Sequence, residues 1–476
     1  MRAGAKRHYT RKSGLLVNAI ALEIYRRSTR VRPEAAQAWR RGSVDQEIPL
    51  INRTIEFPSS FVFGSATAAH QVEGDNRAND WWAHEHAGDT NVVEASGIAC
   101  DHYHRFADDF RLLKGLGHPA HRLSIEWSRI EPEEGRIQAA EIAHYRTVLE
   151  TLRGLDIEPW VTLHHFTQPQ WFVRRGAFTR AENVEPFRCF VELMAETYGD
   201  LVRHWCTINE PTVPAELGYR FGFFPPRLTD AELAADVLTN LFRAHVVASE
   251  ALRARARRAA SIGITLAVMA QEPHDPVVAA DRALAAQRDA ETNGVSFEAL
   301  RTGVFAYPGR APVEIPGLQA SSDFVGIQYY TRTRYSAASA GPTMPDLNRF
   351  ITQMAWEVYP EGLAPLLQRA AATGLPVYVT ENGICCDDDA VRVEYIADHL
   401  AAVDAARRAG ADVRGYFYWS AMDNFEWNFG YGPKFGLVAV DRQTLARTPR
   451  PSAHFFAALI REHRLTPEMV AQFMAR

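Results

Sequence analysis

Cysteine is scarce. Five thiols among 476 residues are too few, and odd in number, to make a disulfide framework, and reduced thiols in a cytoplasm are the simplest expectation. No run of about 18 apolar residues occurs, so no membrane span is expected. Between residues 57 and 476 there is no Pro/Gly/Ser linker, no repeat and no low-complexity tract, which argues for one domain there. No Gly-rich phosphate loop and no dinucleotide fingerprint is found, so no nucleotide cofactor is called for. The net charge of −5 gives no reason to expect a nucleic-acid partner.

The charge is unevenly placed. Residues 1–50 hold 11 Lys and Arg against four acids, and the remainder is acidic. Residues 1–56 are therefore read as a basic N-terminal extension. Its apolar stretch, 13–25, contains Glu23 and is followed by no small-residue cleavage site, so a secretory leader is not expected. An organellar transit peptide or a basic arm stays open; a dispensable, disordered extension is the plainer reading.

Eight short runs rich in Val, Ile, Phe, Tyr and Thr punctuate the rest, at 61–71, 118–127, 158–166, 204–211, 262–273, 323–331, 376–383 and 413–423. Most are unbroken, as strands buried on both faces are. Helical patterns lie between them, at 101–116, 139–155, 182–198, 230–259, 360–373 and 391–409. Regular alternation of strand and helix predicts parallel βα units, and eight strands is the count that closes a (β/α)8 TIM barrel over 57–476.

In such barrels the chemistry stands at the C-terminal strand ends. The fourth run ends Asn209-Glu210-Pro211 and the seventh Thr380-Glu381-Asn382-Gly383. A lone strand-end Glu is usually a salt-bridge partner. Two of them facing one opening are what glycosidic cleavage uses: one protonates the leaving oxygen, the other attacks the sugar or activates water.

These strand ends, with Phe63-Gly64-Ser65-Ala66-Thr67, Gln71-Val72-Glu73-Gly74, the stretch from Arg122 to Ile130 and the stretch from Trp419 to Trp427, resemble glycoside hydrolase family 1, the β-glucosidase and β-galactosidase family. The resemblance spans residues 57–459. It implies a retaining exo-β-glycosidase with Glu381 as nucleophile and Glu210 as acid/base. Arg122 and Tyr330 match residues that support the nucleophile, and Asn209 matches the residue that holds the sugar 2-hydroxyl. Gln71, His165 and Glu426 match sugar-hydroxyl ligands. Trp419 and Trp427 match the aromatic platform and rim, Phe435 an aromatic nearby, and Trp356 a leaving-group-site tryptophan. Trp127 and Trp205 are read as core. A carboxylate at Glu426 would repel a 6-phosphate, so an unphosphorylated β-glucoside is the expected substrate, with β-galactosides and β-fucosides open. Neither a metal nor a cofactor is implied. Self-association occurs in the family and stays open here.

The chain departs from the family pattern in places. Gln328 stands where an Asn is usual, among the sugar-binding residues. Phe166-Thr167 replaces Trp-Asp, and Thr212 replaces a Trp beyond Glu210. These changes predict an altered aglycone preference. They also leave two alternatives: transglycosylation through the same intermediate, and a sugar-binding barrel with weakened catalysis. Cys385-Cys386 is read as inert or peripheral, Asp387-Asp388-Asp389 as a solvated helix start, and His70, His102 and His104 as solvated or hydrogen-bonded rather than metal ligands.

Overall fold

The computed structural model describes residues 53–475. The basic extension lies outside the described residues except for its last four. Of these, Ile55–Glu56 pairs antiparallel with Arg464–Leu465, and Arg53 forms an ion pair with Asp404. These contacts fasten the start of the described chain to the barrel.

Eight parallel strands form the barrel: β1 (Val62–Ala66), β2 (Ala120–Ser124), β3 (Glu158–His164), β4 (His204–Asn209), β5 (Ser261–Pro273), β6 (Phe324–Ser336), β7 (Val377–Asn382) and β8 (Val413–Trp419). Each pairs with its neighbours in chain order, β6 lying between β5 and β7, and β8 pairs with β1, which closes the cylinder. Closure leaves no free edge. All eight expected strands are present, several shorter than their apolar runs. The first run stops at Ala66 because residues Ala69–Val72 turn helical, and the second stops at Ser124, ahead of the helical turn Trp127–Ile130. Only β6 is markedly longer than expected. Its end pairs with the end of β5 in a ribbon, Ala270–Pro273 against Arg332–Tyr335.

Helices α1 (His102–Gly115), α2 (Ala139–Gly154), α3 (Val184–Tyr198), α4 (Ala231–Arg255), α5 (Ala279–Asp289), α6 (Leu363–Ala371), α7 (Asp389–Arg408) and α8 (Pro451–Glu462) form the outer layer. The buried faces of α2 (Tyr145, Val148, Leu149, Leu152) and α3 (Phe187, Phe190, Val191, Met194) recur at three- and four-residue spacing, which sets one stripe of each against the barrel. The Asp388 side chain accepts from Ala390 N at 3.1 Å and caps α7. Asp389 is ion-paired with buried Arg392 and accepts from Ser452. The acidic run is thus a helix start, as expected, but a docked rather than solvated one.

Inside the barrel, Trp160, Cys206, Phe324 and Phe417 form an apolar layer, each upstream of the site residue on its own strand. Two glycines make room for it. A Cβ on Gly64 would lie 2.6 Å from the Phe417 ring, and one on Gly263 would lie 2.5 Å from the Phe324 ring. This packed floor leaves the mouth as the place for polar groups. Trp127 and Trp205 are core, as expected, at 2% and 0% exposure.

Candidate active site

The mouth is organised around one buried cation. Arg122 ends two positions before the close of β2 and is fully buried. One Nη donates to Glu381 Oε1 and the other to Asn209 Oδ1. The planar fork of a guanidinium suits this double task. Tyr330, on β6, donates its hydroxyl to the second Glu381 oxygen, Oε2, at 2.7 Å. Both oxygens of Glu381 are therefore oriented.

Glu210 follows β4 directly, with its backbone in the left-handed region, φ 48°. Its N–H donates to Thr265 O at 2.7 Å. Left-handed φ also occurs at Phe166 (70°), Ala355 (60°) and Trp427 (48°). Such conformations cost on the order of 1 kcal/mol for side chains with a Cβ.

The electrostatics separate the two carboxyls. Burial pushes Glu210 well above the usual carboxyl range, and the charge of Glu381 pushes it further. Burial also raises Glu381, but Arg122 and the Tyr330 hydroxyl oppose that rise. Glu381 thus loses its proton first, and its charge keeps Glu210 protonated.

The sugar-binding set surrounds this pair. Asn209 Oδ1 accepts from Thr265 Oγ1 at 3.1 Å and Gln328 Nε2 at 2.9 Å, while Asn209 Nδ2 faces His165 Nε2 at 3.4 Å. Gln71 Nε2 donates to Phe425 O at 2.8 Å and Asn424 Oδ1 at 3.1 Å, and reaches Glu426 Oε2 at 3.5 Å. Three buried polar atoms here have no partner: Gln71 Oε1, His165 Nδ1 and Gln328 Oε1.

Aromatic rings wall the site. His165 stacks near-parallel on Trp419 (5.9 Å, 14°) and on Trp427 (6.2 Å, 15°). Trp419 and Phe435 share an apolar cluster with Cys385, against which Tyr330 and Trp356 pack. Tyr330 lies 5.4 Å from Trp356 and 6.1 Å from Phe435, between ring centroids. Cys385 is therefore not peripheral: it is buried behind the platform, and burial pushes its thiol well above the ordinary range, which keeps it unreactive.

Every residue expected at the site lies in this one assembly, but some details differ from expectation. Burial, then the charge of Glu381, pushes Glu426 to about 8. Its surroundings favour the neutral acid, which can donate as well as accept. The standing negative charge expected at Glu426 is thus opposed by its surroundings. Phe166 packs on Trp427 (5.2 Å) and Phe224 (5.9 Å). Thr167 donates to Glu126 Oε2 at 2.9 Å, where an aspartate would set two carboxylates face to face. His70 is hydrogen-bonded, as expected, and buried: it bonds Glu85 at 2.7 Å and Asn79 at 2.9 Å and backs Trp427 at 5.7 Å. His102 and His104 bond Asp109 and Asp101. Among the described residues no group of three His, Cys, Asp or Glu could hold a metal ion, and no helix is long and apolar enough to cross a membrane. Sequence reasoning missed Thr265 and Asn424, which hold Asn209 and Gln71. Neither side chain ionises, so neither had a chemical signal of its own.

A closed parallel barrel with an ion-paired carboxylate and a protonated one at its C-terminal mouth defines an O-glycosyl hydrolase. Residues 53–465 match the pattern of Glycosyl hydrolase family 1, and the chain belongs to that family. It is 34% identical to the thermostable beta-glucosidase B of Thermobispora bispora, over 86% of this chain and 92% of that protein. It is 30% identical to beta-glucosidase A of Thermotoga maritima, over 86% and 99%. Among solved structures, a beta-glycosidase from Pyrococcus horikoshii superposes with TM-score 0.82 at 38% identity, covering 88% of this chain and 98% of that one. The T. maritima beta-glucosidase in complex with glucoimidazole superposes at 0.81 and 30%, covering 86% and 99%.

Proposed function

We propose that the protein is a retaining exo-β-glycosidase acting on unphosphorylated β-glucosides, with β-galactosides and β-fucosides as secondary substrates. The observation that carries this reading is the asymmetry of the carboxyl pair: Glu381 is held by Arg122 and Tyr330, and Glu210 is kept protonated beside it. The relatives named as beta-glucosidases support the choice of sugar.

In the first step Glu381 attacks the anomeric carbon while Glu210 passes its proton to the departing glycosidic oxygen. Forming the glycosyl ester removes the charge of Glu381. The repulsion that kept Glu210 protonated then ends, and Glu210 takes a proton from the incoming water. Asn209 Nδ2 faces the 2-hydroxyl, a contact that strengthens in the transition state. Trp419 offers an aromatic face to the C–H side of the ring.

The test is nitrophenol release from aryl β-glucosides, with the first-formed sugar anomer followed by NMR. The expected result is the β-anomer from the unsubstituted enzyme and no turnover by Glu381→Ala. A first-formed α-anomer rejects retention, and robust turnover by Glu381→Ala without an added nucleophile rejects the assignment.

A further inference from the structure

Gln328 is where the chain departs from its family inside the sugar-binding set, and its geometry gives it a task other than touching sugar. An arginine has only N–H donors. The atom of Asn209 that faces Arg122 must therefore be its oxygen, and Thr265 Oγ1 at 3.1 Å meets the same atom. The amide of Gln328 also lies against this oxygen, at 2.9 Å. If that amide were turned over, Gln328 Oε1 would oppose Asn209 Oδ1, acceptor against acceptor. Gln328 must present its nitrogen, and its own oxygen is left buried and unpartnered.

Three donors on one carbonyl oxygen exhaust its lone pairs and fix the amide plane. The Asn209 amide nitrogen is then turned the other way, toward His165 Nε2. The orientation runs through a series of contacts: Glu381 to Arg122, Arg122 to Asn209, Asn209 to Gln328. The side chain one methylene longer than asparagine spans the last of these.

We infer that Gln328 is a positioning residue: it locks the Asn209 amide so that its N–H is presented to the hydroxyl at sugar C2, and it makes no sugar contact of its own. This rests on the proposed glycosidase reading. Group specificity at C2 is then set partly from strand β6, through a side chain the substrate does not meet.

The test compares an aryl β-glucoside with its 2-deoxy analogue. Gln328→Met keeps the length and removes the donor. It is expected to lower kcat on the glucoside about ten-fold, the rate equivalent of one ordinary hydrogen bond, with KM nearly unchanged. On the 2-deoxy substrate it should alter kcat by less than about two-fold. Gln328→Asn, with a donor set one methylene back, is the second variant and should fall between, on the glucoside only. Equal losses on both substrates would overturn the inference, because general loosening of the site acts on both. So would a rise in KM alone, which marks a direct sugar contact, or no loss at all. Failure of the unsubstituted enzyme to turn over the glucoside would instead reject the glycosidase reading, and this inference with it.

Discussion

Replacing Tyr330 by Phe removes one atom from the site and little else. The ring stays packed beside Trp356 and Phe435, so the melting temperature should change little. The atom lost is the donor of a 2.7 Å bond to Glu381 Oε2. A hydrogen bond to a charged group is worth about 1.5–3 kcal/mol, and about 1.4 kcal/mol is a decade in rate. In the empty site that bond favours ionised Glu381, so its removal lets burial push the carboxyl further up. The acid limb of kcat/KM, which reports the free enzyme, should move to higher pH. Below that limb the variant should lose about ten- to hundred-fold in kcat/KM on an aryl β-glucoside. The assay is kcat/KM across the pH range, with a thermal melt as the folding control. An acid limb that stays in place, or moves to lower pH, in a normally folded variant would refute the claim that Tyr330 acts by holding Glu381 ionised.

Two further outcomes are expected. Glu426 is raised to about 8 by burial and then by Glu381, so the folded chain retains a proton that the unfolded chain has released. The stability this supplies is complete below the ordinary carboxyl range and is lost as pH rises toward about 8. Glu426→Gln should flatten the fall of melting temperature between about pH 5 and 8.5; parallel slopes for the two proteins would count against it. Arg122→Lys keeps a positive charge but cannot bond Glu381 and Asn209 together in a fixed fork. It should cost at least about 100-fold in kcat/KM, measured on protein whose melt shows it is folded, and near-normal turnover would rule out the shared-cation arrangement.

The parts of this molecule visible in the sequence are those where one physical signal dominates. An unbroken run of β-branched and aromatic residues marks a strand buried on both faces, and eight of them gave the barrel. The runs did not mark where strands stop: the first run continues through Ala69–Val72, which is helical in the fold. The opposite error fell on β6. Its end, Arg332 to Ser336, lies beyond the expected run, yet it pairs with the end of β5, a partner far away in the chain. Both glutamates could be found because strand-end carboxylates are chemically conspicuous. Glu426 was also found, but its protonation was not, since that depends on how much solvent the fold removes. Nor could the sequence show that Phe166 turns onto Trp427, or that Thr167 meets Glu126; those contacts join segments brought together only by the closed barrel.

The two carboxyls of the proposed mechanism differ less in burial than in company. Glu210 is 8% exposed and Glu381 4%, so loss of solvent raises both and cannot by itself tell an acid from a nucleophile. The distinction comes from neighbours that donate to one carboxyl and not to the other. Arg122 and Tyr330 between them cover both oxygens of Glu381, whereas the Glu210 carboxyl receives no hydrogen bond from a described residue and lies near a second negative charge. One guanidinium also anchors Asn209, so the proposed nucleophile and the proposed 2-hydroxyl contact share a single reference point. A displacement of Arg122 would disturb the charge of Glu381 and the aim of Asn209 at once. Losses from Arg122 and Asn209 substitutions should therefore be strongly non-additive, with the double variant little worse than Arg122→Lys alone.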